Sequence, residues 1–332
     1  MTTIRDIARG AGVSVSTASL ALNGDARVRA PTRERVLQVA TELDYHPSHA
    51  ARSLSRGRTW SLHLLFPGEG NMSSGFFSRF VRGLHDGARE RGTSVALSVP
   101  TDAEEAQATL MRMIRERWAD GVVFINLEPD DPLLDLASEH AFPHVFVGRT
   151  TRADVPTVDN DNHAVAADVT RALLQRGARH LMLLNGPAAQ AFTRERAAGF
   201  VAAHAAAGVP LAEDAIVYTE GRLEAAQAAV AARLDAGGPL DGVVAVSDPL
   251  AVAALQVLRR QGVDVPGQVR VFGMNDDDLG RYVTPSLSTV ALNAAELGVA
   301  AAGLLLDQVE GRPLAPNRRI VGHALVERET SA

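Results

Sequence analysis

From Ser61 onward one pattern governs the sequence: short apolar runs alternate with helical segments almost to the end of the chain. The runs are SLHLLF, SVALSV, GVVFIN, HVFVG, HLMLLNG, AIVYTE, GVVAVS and VRVFGM. Continuous apolar strands separated by helices predict parallel sheets covered on both faces, because a parallel pair needs a crossover and the crossover helix hides a face. Gly92, Gly177, Gly208, Gly262 and Gly311 stand at the ends of several of these helices, where a left-handed cap is wanted. An internal echo divides the region: Asp120-Gly121-Val122-Val123-Phe124-Ile125-Asn126 resembles Asp241-Gly242-Val243-Val244-Ala245-Val246-Ser247. Two similar lobes are therefore expected, with a ligand cleft between them at the carboxyl ends of the strands.

The first sixty residues read differently. Ile4, Ile7, Ala8 and Ala11 keep one helical face apolar, Gly12 breaks the helix, and a second helix runs from about Val15 to Asn23 before Gly24. Helix, tight Gly-containing turn and second helix form a helix-turn-helix. A third helix begins near Pro31, a residue suited to a first helical position, and continues through Val36, Leu37, Ala40 and Leu43. His46-Pro47 ends this head, and the Arg-rich stretch HPSHAARSLSRGRT follows as a linker with helix-forming residues from about Ser48 to Ser55.

With 332 residues, 46% of them hydrophobic, the chain can build two to three globular units. It has no cysteine, which excludes disulfides, thiolate metal sites and a cysteine nucleophile. All its basic residues are arginine. The N-terminus MTTIRDIARG carries charges where a secretory signal needs an apolar stretch, and no apolar run reaches about 18 residues. A cytoplasmic protein with no membrane partner is expected. Net charge is −6, yet residues 1–60 hold nine arginines against five acids, a net +4 that leaves −10 for the rest. A basic head on an acidic body suits phosphate binding. On charge alone an ordinary compositional fluctuation fits equally well.

At this point the residues resemble a known family. IRDIARGAGVSVSTASLALNG, followed by TRERVLQVATELDYHPSHAARSL, is similar to the head of the lactose and galactose repressor family. The later blocks DGVVFIN, RAAGF, SDPLAVAALQVLRRQG and FGMNDDDLGRYVTPSLSTV match in order. The resemblance implies an α/β protein: an N-terminal all-α helix-turn-helix domain (1–47), a hinge helix or linker (48–60) and a two-lobed periplasmic-binding-protein-like core with parallel sheets (61–332). Its first lobe would span about 61–160 and 292–322, its second about 161–291 and 323–332.

In that family the second helix lies in the major groove and a homodimer holds a near-palindromic double-stranded DNA operator. The resemblance implies DNA contacts from Thr3, Val15, Ser16, Thr17, Leu20, Asn23 and Arg27. On a helical wheel Ala18, Ala21 and Leu22 face the other helices, whereas Ser16, Thr17 and Leu20 point away. Leu20 stands where arginine is usual, exchanging a bidentate contact to guanine for one suited to a thymine methyl; packing against another helix, or loss of the DNA role, is the alternative. The segment matching Ala50–Ser55, with Arg52, Ser53 and Leu54, would become a helix on DNA, with Leu54 wedged into the minor groove.

For the core, the resemblance implies a small-molecule effector, a mono- or disaccharide, held by Phe76, Phe77, Arg149, Asn160 or Asp161, Arg196, Ser247, Asp248, Asn275 and Asp276. Aromatic faces stack on sugar rings while acids, amides and arginine bind hydroxyls. Arg196 opens an intact Arg-x-x-Gly-Phe motif; Ser247 replaces the usual Asn and Asn275 the usual Asp, which alters specificity. A purine- or nucleoside-responsive corepressed regulator and a sugar-binding protein without a DNA role remain alternatives, and the sign of the effector's action stays open. The chain ends at VERETSA without a leucine heptad tail, so a dimer is expected rather than a tetramer.

An enzymatic reading finds little support. Gly68, Gly70 and Ser73 make an imperfect dinucleotide loop, and neither a Gly-x-Ser-x-Gly elbow nor a phosphate loop is present. The run Asn275-Asp276-Asp277-Asp278 and the pair His46 and His49 read as solvated loop and hinge rather than metal sites, so no metal and no cofactor is expected.

Overall fold

The computed structural model describes residues 2–45, 58–66, 74–314 and 316–332. The hinge positions Arg52, Ser53 and Leu54, the pair His46 and His49, and the glycine loop 67–73 lie outside the described residues. The chain separates into two compact units, Met1–Thr59 and Trp60–Ala332.

In the head, α1 (Ile4–Gly10), α2 (Val15–Leu22) and α3 (Ala30–Glu42) enclose Ile7, Ala8, Ala11, Ala18, Ala21, Val28, Val36 and Ala40. Small alanines at the contacts let three short helices pack closely, and tertiary burial stabilises helices too short to persist alone. Each start has a local cause. The Asp6 carboxylate accepts from the Thr3 backbone N–H (3.0 Å) and hydroxyl (2.7 Å), closing the first turn of α1. Ser14 Oγ accepts from Thr17 N (3.1 Å) at the start of α2. Gly12, at φ 63°, makes the turn between them in the left-handed region. The third helix starts at Ala30, placing Pro31 one position further in than the sequence suggests.

The first core lobe is a parallel sheet of order β2-β1-β3-β4-β5-β11, formed by β1 (Ser61–Leu65), β2 (Ser94–Ser98), β3 (Gly121–Ile125), β4 (His144–Val147), β5 (Thr157–Asn160) and β11 (Arg318–Val321). Helices α4 (Gly75–Arg89), α5 (Ala103–Glu116) and α6 (Pro132–Glu139) connect the strands. The second lobe has parallel order β7-β6-β8-β9, from β6 (Leu181–Asn185), β7 (Ile216–Tyr218), β8 (Gly242–Ala245) and β9 (Arg270–Phe272). Its helices are α7 (Asn162–Gln175), α8 (Ala191–Ala207), α9 (Leu223–Asp235), α10 (Asp248–Arg260) and the short α11 (Leu279–Tyr282). An antiparallel pair, β10 (Thr289–Ala291) and β12 (Ala324–Val326), completes it. Between these two strands the chain returns to the first lobe as α12 (Ala294–Val309) and β11, so it passes between lobes three times: after Asn160, near Leu292 and near Gly322.

Both lobes contain a helix pair brought close by glycine. A Cβ on Gly83 of α4 would stand 1.9 Å from the Ala295 carbonyl oxygen of α12, and one on Gly199 of α8 would stand 2.1 Å from that of His163 in α7. No rotamer change relieves a clash with backbone, so the Gly83→Ala substitution should force α4 and α12 apart and destabilise the chain by about 1–3 kcal/mol, the usual cost of overpacking. Urea unfolding of the purified variant measures this; an unchanged midpoint would show that the helices slide apart without cost.

The interlobe cleft and the surface of the second helix

The carboxyl ends of both sheets face a cavity of about 540 Å³ lined from both lobes. Several strand ends turn there through left-handed residues: Asn126 (φ 64°) after β3, Gly148 (φ 142°) after β4, Glu220 (φ 52°) after β7 and Asn275 (φ 110°) after β9. Such turns stop a strand abruptly and leave its last side chains pointing beyond the sheet edge. Phe66, Phe76, Phe77, Phe146 and Phe192 supply the apolar walls. Phe66 and Phe77 meet edge to face at 4.8 Å, and Phe76 packs against the apolar cores of both lobes.

The polar wall is an ordered chain of charge. Arg196, 5% exposed, donates from Nε to Asn162 Oδ1 (3.0 Å) and from Nη1 to the Val246 carbonyl (3.0 Å), and its guanidinium lies 4.9 Å from the centre of the Phe192 ring. Among the described residues nothing accepts from its Nη2. Burial lowers its pKa to about 10, against the opposing pull of Asp159 and Glu195, so it stays charged at neutral pH. Asn162 Nδ2 donates to Asp159 Oδ1 (3.0 Å), and Arg149 bridges Asp159 (3.7 Å) and Glu195. Burial pushes both carboxyls up, and Arg149 opposes the shift in each. Glu195 Oε2 and Arg149 Nε are buried without a hydrogen-bond partner among the described residues.

Of the residues singled out from sequence, Phe76, Phe77, Arg149, Asn160, Arg196, Ser247 and Asn275 line this cavity. Three others do not. Asp161 is exposed and caps α7, accepting from Ala164 N at 3.0 Å. Asp248 is fully buried beneath the cleft: Oδ1 accepts from the Thr289 hydroxyl and Oδ2 from Asp277 N, each at 2.6 Å. Asp276 turns away to pair with Arg328 and Arg281. Asn160 lines the wall, but its amide donates to the carbonyls of Leu292 (3.0 Å) and Val321 (2.9 Å), leaving no N–H for a ligand. Sequence reasoning missed Asp159, Asn162, Phe192 and Glu195. Of these, the last two flank Arg196 on α8, so the one-turn neighbourhood of the Arg-x-x-Gly-Phe motif was the available signal.

In the head, Val15 and Ser16 are exposed at the start of α2, while Thr17 is partly buried. The hydroxyls of Ser16 and Thr17 both lie within hydrogen-bond distance of Ser14 Oγ, at 2.9 and 2.8 Å. Leu20 corrects the helical-wheel reading: it is half-buried and packs against the three-helix core instead of standing clear of it. Asn23 closes α2, its amide donating to the Ser19 carbonyl at 2.9 Å. Arg27 grips Asp25 through Nε (3.0 Å) and Nη2 (2.8 Å), and these bonds hold the Asp25 carboxyl down to about 2. Arg27 is largely exposed in this pair and Asp25 about a quarter exposed.

Residues 3–48 match the family model of bacterial regulatory proteins of the lacI family, and residues 170–331 match the periplasmic binding protein-like domain. The ribose operon repressor of Halalkalibacterium halodurans is 30% identical over all of this chain and 97% of its own length. The chain belongs to the LacI family. Within it, the regulator CelR of Thermobifida fusca is 31% identical over 99% of this chain and 98% of its own. A solved CelR–cellobiose complex superposes with a TM-score of 0.77 at 29% identity, covering 99% of this chain and all of that one. The operator-bound lac repressor dimer shares the fold, with a TM-score of 0.85 at 21% identity over 99% of both chains. This LacI-family chain is a DNA-binding transcriptional regulator with a helix-turn-helix head. Among its described residues no helix is long and apolar enough to cross a membrane.

Asp248 gives the core a distinctive pH response. Burial raises its carboxyl to about 7, with Asp277 and Asp276 adding to the rise and the bonds from Thr289 and Asp277 N opposing it. The unfolded carboxyl titrates at about 3.9. Between these values the folded chain holds a proton that the unfolded chain has lost, so this group's contribution to stability falls as pH rises from about 4 to about 7 and is constant beyond. Asp248→Asn removes the titration. The variant should therefore improve relative to the parent across that window, by about tenfold or more in the folding equilibrium constant. Urea unfolding at about pH 4.5, near the foot of the window, and at about pH 7.5, above it, checks this; a constant difference would refute the assignment.

Proposed function

We propose that the chain is a cytoplasmic, homodimeric repressor whose heads hold a near-palindromic double-stranded DNA operator and whose affinity for it changes when a neutral mono- or disaccharide enters the interlobe cavity. The two-lobed cavity with a charged, buried Arg196 on its wall carries the reading. A planar guanidinium fixed at two positions, with Nη2 left over, offers an oriented donor to a hydroxyl. Phenylalanines on both sides fit the apolar faces of a pyranose or furanose ring. The volume lies within the ordinary range for small-molecule sites. The cellobiose bound by CelR and the ribose operon controlled by the Halalkalibacterium halodurans repressor support the sugar class.

On DNA, two copies related by a two-fold axis present two α2 helices to half-sites about one helical turn apart. Val15 and Ser16 reach base edges from the exposed first turn, Thr3, Thr17, Asn23 and Arg27 flank them, and Leu20 contributes an apolar edge while staying anchored in the head core. Arg52, Ser53 and the wedge Leu54 belong to the same reading through the hinge. Ligand and operator then influence each other by one reciprocal factor.

A thermal-shift screen of the full chain against ribose, cellobiose, other mono- and disaccharides and purine nucleosides tests the effector class. A cognate sugar at about 100 times its Kd should stabilise the protein by about 2.7 kcal/mol. Arg196→Lys, which keeps charge but loses the fork, should weaken binding at least tenfold in titration calorimetry. A response confined to purines would overturn the sugar reading, and operator affinity indifferent to every binding sugar would overturn the switch. For the head, operator selection with Leu20→Arg should move the preferred half-site by one base pair's identity; an unmoved preference would make Leu20 a packing residue alone.

A further inference from the structure

Asn275 and Asp277 belong to the second lobe, in the segment after β9, yet each accepts a hydrogen bond from the first. Arg79, on α4, donates from Nη2 to the Asn275 carbonyl (2.6 Å) and to Asp277 Oδ1 (3.2 Å). The Asp277 carboxylate is only 3% exposed and sits against the first turn of α4, so close that a Cβ on Gly75 would stand 2.3 Å from its Oδ1. Burial raises the Asp277 carboxyl, while Arg79 and the backbone N–H groups of Gly75 and Phe76 favour its charged form. A buried carboxylate without such partners is costly, so the approach of α4 and the burial of Asp277 depend on each other. The same segment is pinned within its own lobe: Asn275 N donates to the Val290 carbonyl, Asp277 N to Asp248, and Asp276 pairs with Arg328 and Arg281. It therefore moves with the second lobe as a unit. Asn275 itself lines the cavity in a left-handed conformation, and no hydrogen bond engages its side-chain amide among the described residues.

We infer that Arg79 is the positioning residue that clasps the two lobes together and fixes Asn275 for the effector, without touching the cavity itself. The inference deepens the proposed ligand site by naming what holds it closed. Breaking the clasp frees the second lobe to swing from α4, carries Asn275 away from the phenylalanines of the first lobe and leaves the rest of the cavity wall intact. The Arg79 side chain is about one-third exposed, so the space left by its removal opens to solvent.

The absence of native cysteines makes lobe separation directly measurable. Cysteines introduced at Glu116, exposed at the end of α5, and Glu224, exposed on α9, carry one spin label on each lobe. Pulsed electron–electron distance measurement on the ligand-free full chain should give a narrow distribution. In Arg79→Ala, and independently in Asp277→Asn, the distribution should broaden or shift by several ångström while the far-ultraviolet circular dichroism is unchanged. Arg79→Lys, which keeps a cation within reach of Asp277, should restore part of the narrow population. Distributions identical to the parent in both Arg79→Ala and Asp277→Asn would overturn the clasp. The measurement needs no ligand: failure of every sugar to bind would count against the effector reading, while the distances would still decide the role of Arg79.

Discussion

The two lobes are joined at the amide of Asn160. The first passage between them leaves at Asn160 itself, the second arrives at Leu292, and the third departs beside Val321; the Asn160 side chain donates to the carbonyls of both other passages. Asn160 and Val321 are the last residues of the paired strands β5 and β11, where the ladder stops and a buried carbonyl left unsatisfied costs more than a hydrogen bond returns. One asparagine answers two carbonyls at once. The three passages are thereby held together as one bundle. The cavity lies just beyond that bundle, so its geometry is set by the angle between lobes as much as by the residues on its walls.

That dependence explains which parts of the fold and site were legible. Periodicity was enough for the parallel sheets, since runs such as GVVFI and LMLLN are buried along their whole length and admit little else. The Arg-x-x-Gly-Phe motif was legible because each of its members has a separate physical role. Arg196 reaches the cavity, Gly199 lets α8 touch α7, and Phe200 fills the core behind them. The acids were less legible because their roles change from one residue to the next. Asp159 faces the cavity while Asp161, two positions on, caps a helix; Ser247 faces it while Asp248 points beneath it. At the end of a strand, where an extended chain turns into a helix, neither the period of two nor that of 3.6 holds, and parity cannot be carried across the junction. Leu20 misled for a related reason. In a helix of eight residues it stands at the border of the buried face, where a wheel assigns outward what packs partly against the head core.

The network around Asp248 shows how a position matching a pocket residue can serve the pocket indirectly. Its two oxygens hold Thr289 of β10 and the backbone of Asp277, fixing the loop that presents Asn275 on one side and receives Arg79 on the other. Asn275 places a neutral amide where the lobes meet, and the two acids that follow it point elsewhere: Asp276 to Arg328, Asp277 to Arg79. The second lobe thus lines the cavity with a neutral amide and a serine, Asn275 and Ser247.

The charges that do reach the cleft limit what can enter it. Arg149 and Arg196 are matched by Asp159 and Glu195 within one connected set, and Glu220 lies exposed at the mouth. Arg149 already holds Asp159 and Glu195, so a charged ligand that engages any of these three groups competes with a formed ion pair. A neutral polyhydroxyl ligand disturbs neither pair. On the proposed reading its hydroxyls take the donors of Arg196 Nη2 and the Asn275 amide while its apolar faces cover the phenylalanines. The same balance keeps the cleft in shape, because carboxylates and guanidinia already paired have no need to collapse on one another. The charged wall of the cleft is therefore already paired within the protein itself.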